Sequence, residues 1–170
     1  PKYYARLGGF PFIPISPWPA PGLMHVLYTQ TMLIANGIAC QLIGFVFGIF
    51  SMLAVFAMTR YHYGFMSGLI SAFIFYALPM SVELSTGAMP EMGAAFCIIL
   101  SIWALLKAVH KYDTHWIVLG GIMGGVAGAT KLWALMGGLA IIPIIFLFFG
   151  RYIFDKPLAF FRILIIYLLT

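Results

Sequence analysis

From Gly37 to Thr59 the chain runs without a single Asp, Glu, Lys or Arg, and a stretch of that kind leaves few choices. About 20 consecutive apolar residues are what an α-helix needs to cross the hydrocarbon core of a bilayer. Lipid offers no hydrogen bonds, so a run that spans must satisfy its own backbone and is helical. The same texture recurs along the chain, each run closed by short polar or Gly/Pro punctuation. Only 8% of the residues are charged and 64% are hydrophobic, whereas soluble domains carry roughly 25% charged residues. The expected fold class is all-α, a polytopic transmembrane helix bundle of about five to six spans with an N-terminal interfacial loop and helix.

Residues Pro1 to Pro21 are rich in Pro, Gly and aromatics, as in Gly8-Gly9-Phe10-Pro11-Phe12-Ile13-Pro14 and Pro17-Trp18-Pro19. Proline removes backbone donors that lipid cannot replace, so this segment reads as an external interfacial loop rather than a span. Leu23 to Asn36 follows as a helix lying on or dipping into the membrane. The expected spans are Gly37 to Thr59, Gly64 to Met80, Glu91 to Val109, Trp116 to Thr130, Leu132 to Gly150, and Leu158 onward. The whole chain of 170 residues therefore reads as one membrane domain, with 1–36 outside the bilayer core and 37–170 crossing it. The chain opens on Pro1-Lys2-Tyr3-Tyr4 without an initiator Met and stops within the apolar run Ile163 to Leu169, so further sequence is expected on both sides.

The net charge of +5 is scattered singly at the ends of spans, which makes it a topology signal rather than a nucleic-acid patch. One face carries Arg60, Lys107, Lys111, Arg151 and Lys156; the other carries Lys2, Arg6, Glu83, Glu91 and Lys131. Retention of Lys and Arg in the cytoplasm assigns the first face to that side. The N-terminal loop and the Ser81 to Pro90 connection then face outward. Cys40 and Cys97 lie inside apolar runs, with no metal-type or redox-type spacing, and read as small packing residues. Gly120, Gly124 and Gly128 recur every fourth residue beside Gly121 and Gly125, which lets helix backbones approach closely in a bilayer. This places their helix at the centre of the bundle. The segment Gly124 to Lys131 is not a phosphate loop, because that loop needs Gly-Lys followed by Ser or Thr after a strand.

An ionisable residue at membrane depth is expensive, so each one is weighed for function. Glu91 follows Pro90 at the start of a span, where an acid complements the positive helix end. Capping alone accounts for it, and so does a carboxylate that faces an external cavity and binds a metal ion, a sugar hydroxyl or a cationic group. Glu83 lies in what reads as the loop Ser81 to Gly87, either solvated or a second acid of the site. Lys131 closes the glycine-rich helix, where it either snorkels to the interface or offers a point charge to a lipid phosphate or to Glu91. His110, Lys111, Asp113 and His115 crowd the presumed cytoplasmic turn and fit an ordinary solvated turn better than a metal site. His25 and His62 stand alone at interfacial positions.

The order of features resembles the GT-C superfamily of polyprenyl-phosphate-sugar-dependent glycosyltransferases, which contains protein O-mannosyltransferases and lipid A aminoarabinose transferases. The opening Pro1-Lys2-Tyr3-Tyr4, Gly8-Gly9-Phe10, the Pro-rich stretch and Met24-His25-Val26-Leu27-Tyr28 look like the external loop after the first span. Leu78-Pro79 and Ala88-Met89-Pro90-Glu91-Met92-Gly93 look like the second external loop, whose acid, usually Asp, opens the next span and is Glu91 here. Trp116, Leu119-Gly120-Gly121, Gly124-Gly125, Gly128 and Ala129-Thr130-Lys131 resemble the glycine-rich span ending in Thr-Lys.

The resemblance implies inverting, general-base-assisted transfer of a sugar from a polyprenyl-phosphate donor to an extracytoplasmic acceptor. It implies a bacterial inner membrane as the setting, with the active side facing the periplasm or exterior. The general base is then a first-loop acid expected upstream of Pro1. Glu91 and Glu83 are the candidate catalytic acids, and Lys131 and Lys2 the candidate contacts to the donor phosphate. Either positive groups or a divalent metal would steady the departing phosphate. The expected partners are the lipid bilayer, the polyprenyl-phosphate-linked sugar and other membrane subunits, with no nucleic acid. Two further readings stay open: a non-catalytic membrane subunit packed into a larger membrane complex, and a transporter, which would place charges in mid-span.

Overall fold

The computed structural model describes residues 22–111 and 114–131, with Arg6, Ala134 and Ile165 besides. The N-terminal loop, Lys2, Asp113 and the two expected spans beyond Lys131 lie outside the described residues. Six α-helices follow one another among the described residues: α1 Leu23–Ile34, α2 Gly37–Tyr63, α3 Phe65–Ala77, α4 Pro79–Thr86, α5 Glu91–Lys111 and α6 Thr114–Thr130. The chain divides into two compact units, Pro1–Phe96 and Cys97–Thr170.

Local sequence explains where the helices of the first unit begin and end. Asn36 caps α2, its side-chain oxygen accepting the Ala39 N–H at 3.0 Å, the usual service of an Asn at that position. Gly64 stops α2 at φ +90°, a left-handed value that a side chain would disfavour. Its N–H donates to the Arg60 carbonyl at 3.1 Å and its own carbonyl accepts from Gly68 at 3.1 Å, so the chain folds straight back into α3. Pro79 pushes Leu78 into extended backbone, at φ −63° and ψ 126°, and then serves as the first residue of α4.

Among the described residues α2 and the stretch Glu91–Ala108 of α5 are each long and apolar enough to cross a membrane. The run expected as a span from Gly64 to Met80 is helical as α3 and breaks at Leu78, and α3 and α4 form a pair bent by 68°. The break sits where proline denies the helix a donor. Glu83, read from the sequence as a loop residue, is therefore helical, inside α4.

Burial runs opposite to that of a soluble core. On α2 the buried residues are Cys40, Gly44, Gly48, Ser51 and Ala54, while Leu42, Phe45, Val46, Phe50 and Leu53 are exposed. The exposed face of α3 carries Phe65, Met66, Leu69, Ile70, Phe73 and Ile74. Large apolar side chains outside and small ones inside are what lipid as solvent favours, because close backbone approach replaces hydrophobic burial. This is an all-α integral membrane fold.

α4 lies against the small-residue stripe of α2. A Cβ at Gly44 would come within 2.5 Å of the Gly87 carbonyl oxygen, and one at Gly48 within 2.6 Å of Ser85 Cβ. Ser81 and Ser85 are the buried residues of α4. At the far end of α2 the Arg60 guanidinium sits 5.8 Å from the ring centres of both Phe56 and Phe65, and those rings meet edge to face at 5.7 Å. With Tyr61, His62 and Tyr63 beside it, this end has the aromatic and cationic make-up of a membrane interface.

In the second unit Ser101 donates to the Gly120 carbonyl at 2.8 Å, joining α5 to α6. A Cβ at Gly120 would lie 3.2 Å from Leu105 Cγ and 3.4 Å from the Ser101 carbonyl oxygen, so the helix approaches α5 closely at Gly120. Only part of its circumference packs in this way, since Leu119, Ile122 and Gly125 are exposed. Lys107 lies between the Trp103 and Trp116 rings, its ammonium 4.3 Å from each ring centre, a cation–π arrangement suited to a partly desolvated interface.

Candidate functional site

Glu91 is the first residue of α5, and the Pro90 carbonyl accepts the Ala94 N–H at 3.1 Å to open the helix. The carboxylate thus stands at the positive end of the helix dipole. Glu91 is half-buried, and the next three residues, Met92, Gly93 and Ala94, are all buried. Successive helical residues point about 100° apart, so three in a row mean that the first turn of α5 is enclosed on nearly every side. Glu91 opens that turn with one carboxylate oxygen, Oε2, buried.

The enclosure is built largely by α1. Tyr28 is fully buried, and its hydroxyl donates to the Met89 carbonyl at 3.0 Å, across 61 residues of sequence. The Cys40 thiol in turn donates to the Tyr28 carbonyl at 3.3 Å, which ties α1 to the start of α2. Met24, Tyr28 and Cys40 form one apolar cluster, with Leu27, Met32, Ile43, Phe47 and Ala88 packed around it. Phe96, one turn further along α5, sets its ring 5.9 Å from that of Phe47 and 6.0 Å from that of Phe50. Burial pushes the Tyr28 phenol up to about 12, with smaller contributions from Cys40 and from the Glu91 carboxylate. The phenol therefore stays a donor across the physiological range.

The other residues singled out from the sequence have different settings. Glu83 is exposed on α4, two residues from each of the buried Ser81 and Ser85, so it points away from the face that packs on α2. Its backbone carbonyl accepts the Gly87 N–H at 3.1 Å and closes the helix. Lys131 is half-buried just past α6, and its N–H donates to the Ala127 carbonyl at 3.1 Å. A cation at that position complements the negative helix end. Glu91 belongs to the first unit and Lys131 to the second. His115 is exposed. Among the described residues no three His, Cys, Asp or Glu side chains gather as a metal site would require.

Sequence reasoning missed Tyr28 as a site residue. A tyrosine on a helix that also carries His25, Thr29, Gln30 and Thr31 is a weak local signal, and nothing near it in sequence points to a partner 61 residues away.

Residues 19–170 match the family model described as dolichyl-phosphate-mannose-protein mannosyltransferase. Neither the curated proteins nor the solved structures hold a match to the chain.

Proposed function

The chain belongs to the dolichyl-phosphate-mannose-protein mannosyltransferase family, a family of membrane glycosyltransferases, and on that premise we propose that it moves a sugar from a polyprenyl-phosphate donor to an extracytoplasmic acceptor. The observation that carries this reading is the family match itself, because it spans both the Glu91 enclosure and the glycine-rich helix. The reaction is a single displacement. An acceptor hydroxyl oxygen attacks the anomeric carbon, the bond from that carbon to the phosphate oxygen breaks with inversion, and the hydroxyl proton passes to a carboxylate.

Glu91 lines the site. Its carboxylate oxygens accept hydrogen bonds from hydroxyls of the sugar or acceptor and fix them for in-line attack. Lys131 and Lys2 are proposed to hold the departing lipid phosphate as compact point charges. Glu83, exposed on α4, is proposed as an outer acid of the same face. The setting proposed is a bacterial inner membrane, with Glu91 toward the periplasm or exterior. The placement of Lys and Arg along the sequence supports that orientation.

The test is transfer of radiolabelled sugar from polyprenyl-phosphate donors by the full-length gene product in proteoliposomes. Replacing Glu91→Gln is expected to lower donor-dependent transfer by about a hundredfold or more, the scale set by removing one positioned polar group of a transfer site. Absence of transfer with every donor, from folded wild-type protein, would overturn the assignment.

A further inference from the structure

We propose that Tyr28 is a positioning residue for Glu91, acting through the Met89 carbonyl; this rests on the reading of Glu91 as a carboxylate of the transfer site. α1 holds the chain on both flanks of that acid. Met24 and Tyr28 are four residues apart and share one face of α1. Tyr28 donates to the carbonyl of Met89, two residues before Glu91. Met24 lies against Gly93, two residues after it, so closely that a Cβ on Gly93 would sit 2.8 Å from the Met24 sulfur. The first turn is where a helix frays most readily, and these contacts hold the backbone on either side of it.

The two contacts differ in kind, and that difference makes the proposal testable. Met24 fills space, whereas the Tyr28 hydroxyl contributes one directed bond to a backbone atom. Phenylalanine at position 28 keeps the ring that fills the cluster and deletes only that bond. The brace itself is anchored, since the Cys40 thiol holds the backbone of Tyr28 at 3.3 Å. Loss of the phenol therefore frees the Met89 to Glu91 segment while α1 stays in place. Small misplacements of a positioned group lower turnover more than binding.

The experiment is a double-mutant cycle on the full-length gene product in proteoliposomes, using wild type, Tyr28→Phe, Glu91→Asp and the double variant, with Glu91→Gln as a separate reference. Tyr28→Phe is expected to lower kcat by about tenfold with the donor KM changed less than about twofold. On the Glu91→Asp background, where the carboxylate is already displaced, the same change is expected to cost less than about threefold. Equal losses on both backgrounds would mean a general structural role and overturn the proposal, as would wild-type kcat in Tyr28→Phe. Full activity in Glu91→Gln would instead sink the reading of Glu91, a separate failure because that variant leaves Tyr28 untouched.

Discussion

Two seams of the first unit are held by opposite means. Where α4 meets α2, Gly44 lies against the Gly87 backbone and Gly48 against the short Ser85 side chain, with no room for a Cβ at either glycine. Where α1 meets the start of α5, contact is made by Tyr28 and Met24, whole side chains that reach across to Met89 and Gly93. The first seam is rigid because its atoms have nowhere to go. The second can be adjusted one atom at a time, at the segment that carries Glu91. In a bilayer, where apolar burial gives helices little reason to associate, the first kind of seam supplies cohesion and the second supplies placement.

The sharpest way to break this comparison is Gly44→Ala. The new Cβ would meet the Gly87 carbonyl oxygen at 2.5 Å, a backbone atom, so α4 must shift bodily. A loss of about 1–3 kcal/mol is expected, the usual range for overpacking, read as a lower melting temperature in detergent. Unchanged melting would show that the α2–α4 seam yields as easily as the other.

A smaller effect comes from pH and belongs to the second seam. The Tyr28 phenol is raised from 10.0 to about 12, so between those values the folded chain keeps a proton that the unfolded chain has lost. Its contribution is whole below pH 10 and is lost as pH rises toward 12. Melting temperature should fall across that window in wild type and fall less steeply in Tyr28→Phe. Identical slopes would remove the phenol from the account.

The smallest expected effect is that of Gly93→Ala, at less than about 1 kcal/mol. Its Cβ would also be too close, but the obstructing atoms are the Sδ, Cε and Cγ of Met24, the far end of a flexible side chain that can turn away. A loss as large as that of Gly44→Ala would erase the distinction between the two seams.

The start of α2 at Gly37 and the start of α5 at Glu91 are legible in the sequence, because charge and apolar length are local properties; the end of α2 is not, since Arg60 and His62 read as a connection after Thr59 although the helix runs on to Tyr63. The sequence also carried the family, since that rests on the order of loops and spans. The helical setting of Glu83 stayed hidden, because Leu78-Pro79 reads as the opening of an external loop whereas Pro79 starts a helix. Small residues in α2 read as bland apolar texture, and only packing shows that Gly44 and Gly48 are contact points. The tie from Tyr28 to Met89 is beyond local reading altogether: a hydrogen bond between residues 61 apart leaves no periodicity to detect.

The reach of α2 has a consequence for where this protein can work. At 1.5 Å per residue its 27 residues measure about 40 Å, against roughly 30 Å of hydrocarbon in an average bilayer. The surplus has to be taken up by tilt or by leaving the last turn, with Arg60, Tyr61 and His62, among the headgroups. A thicker membrane would draw that turn inward against the cation stacked on Phe56 and Phe65, and a thinner one would lean the helix over. The helix therefore acts as a thickness gauge, and lipid chain length becomes a variable that sets the tilt of the scaffold on which α4 rests.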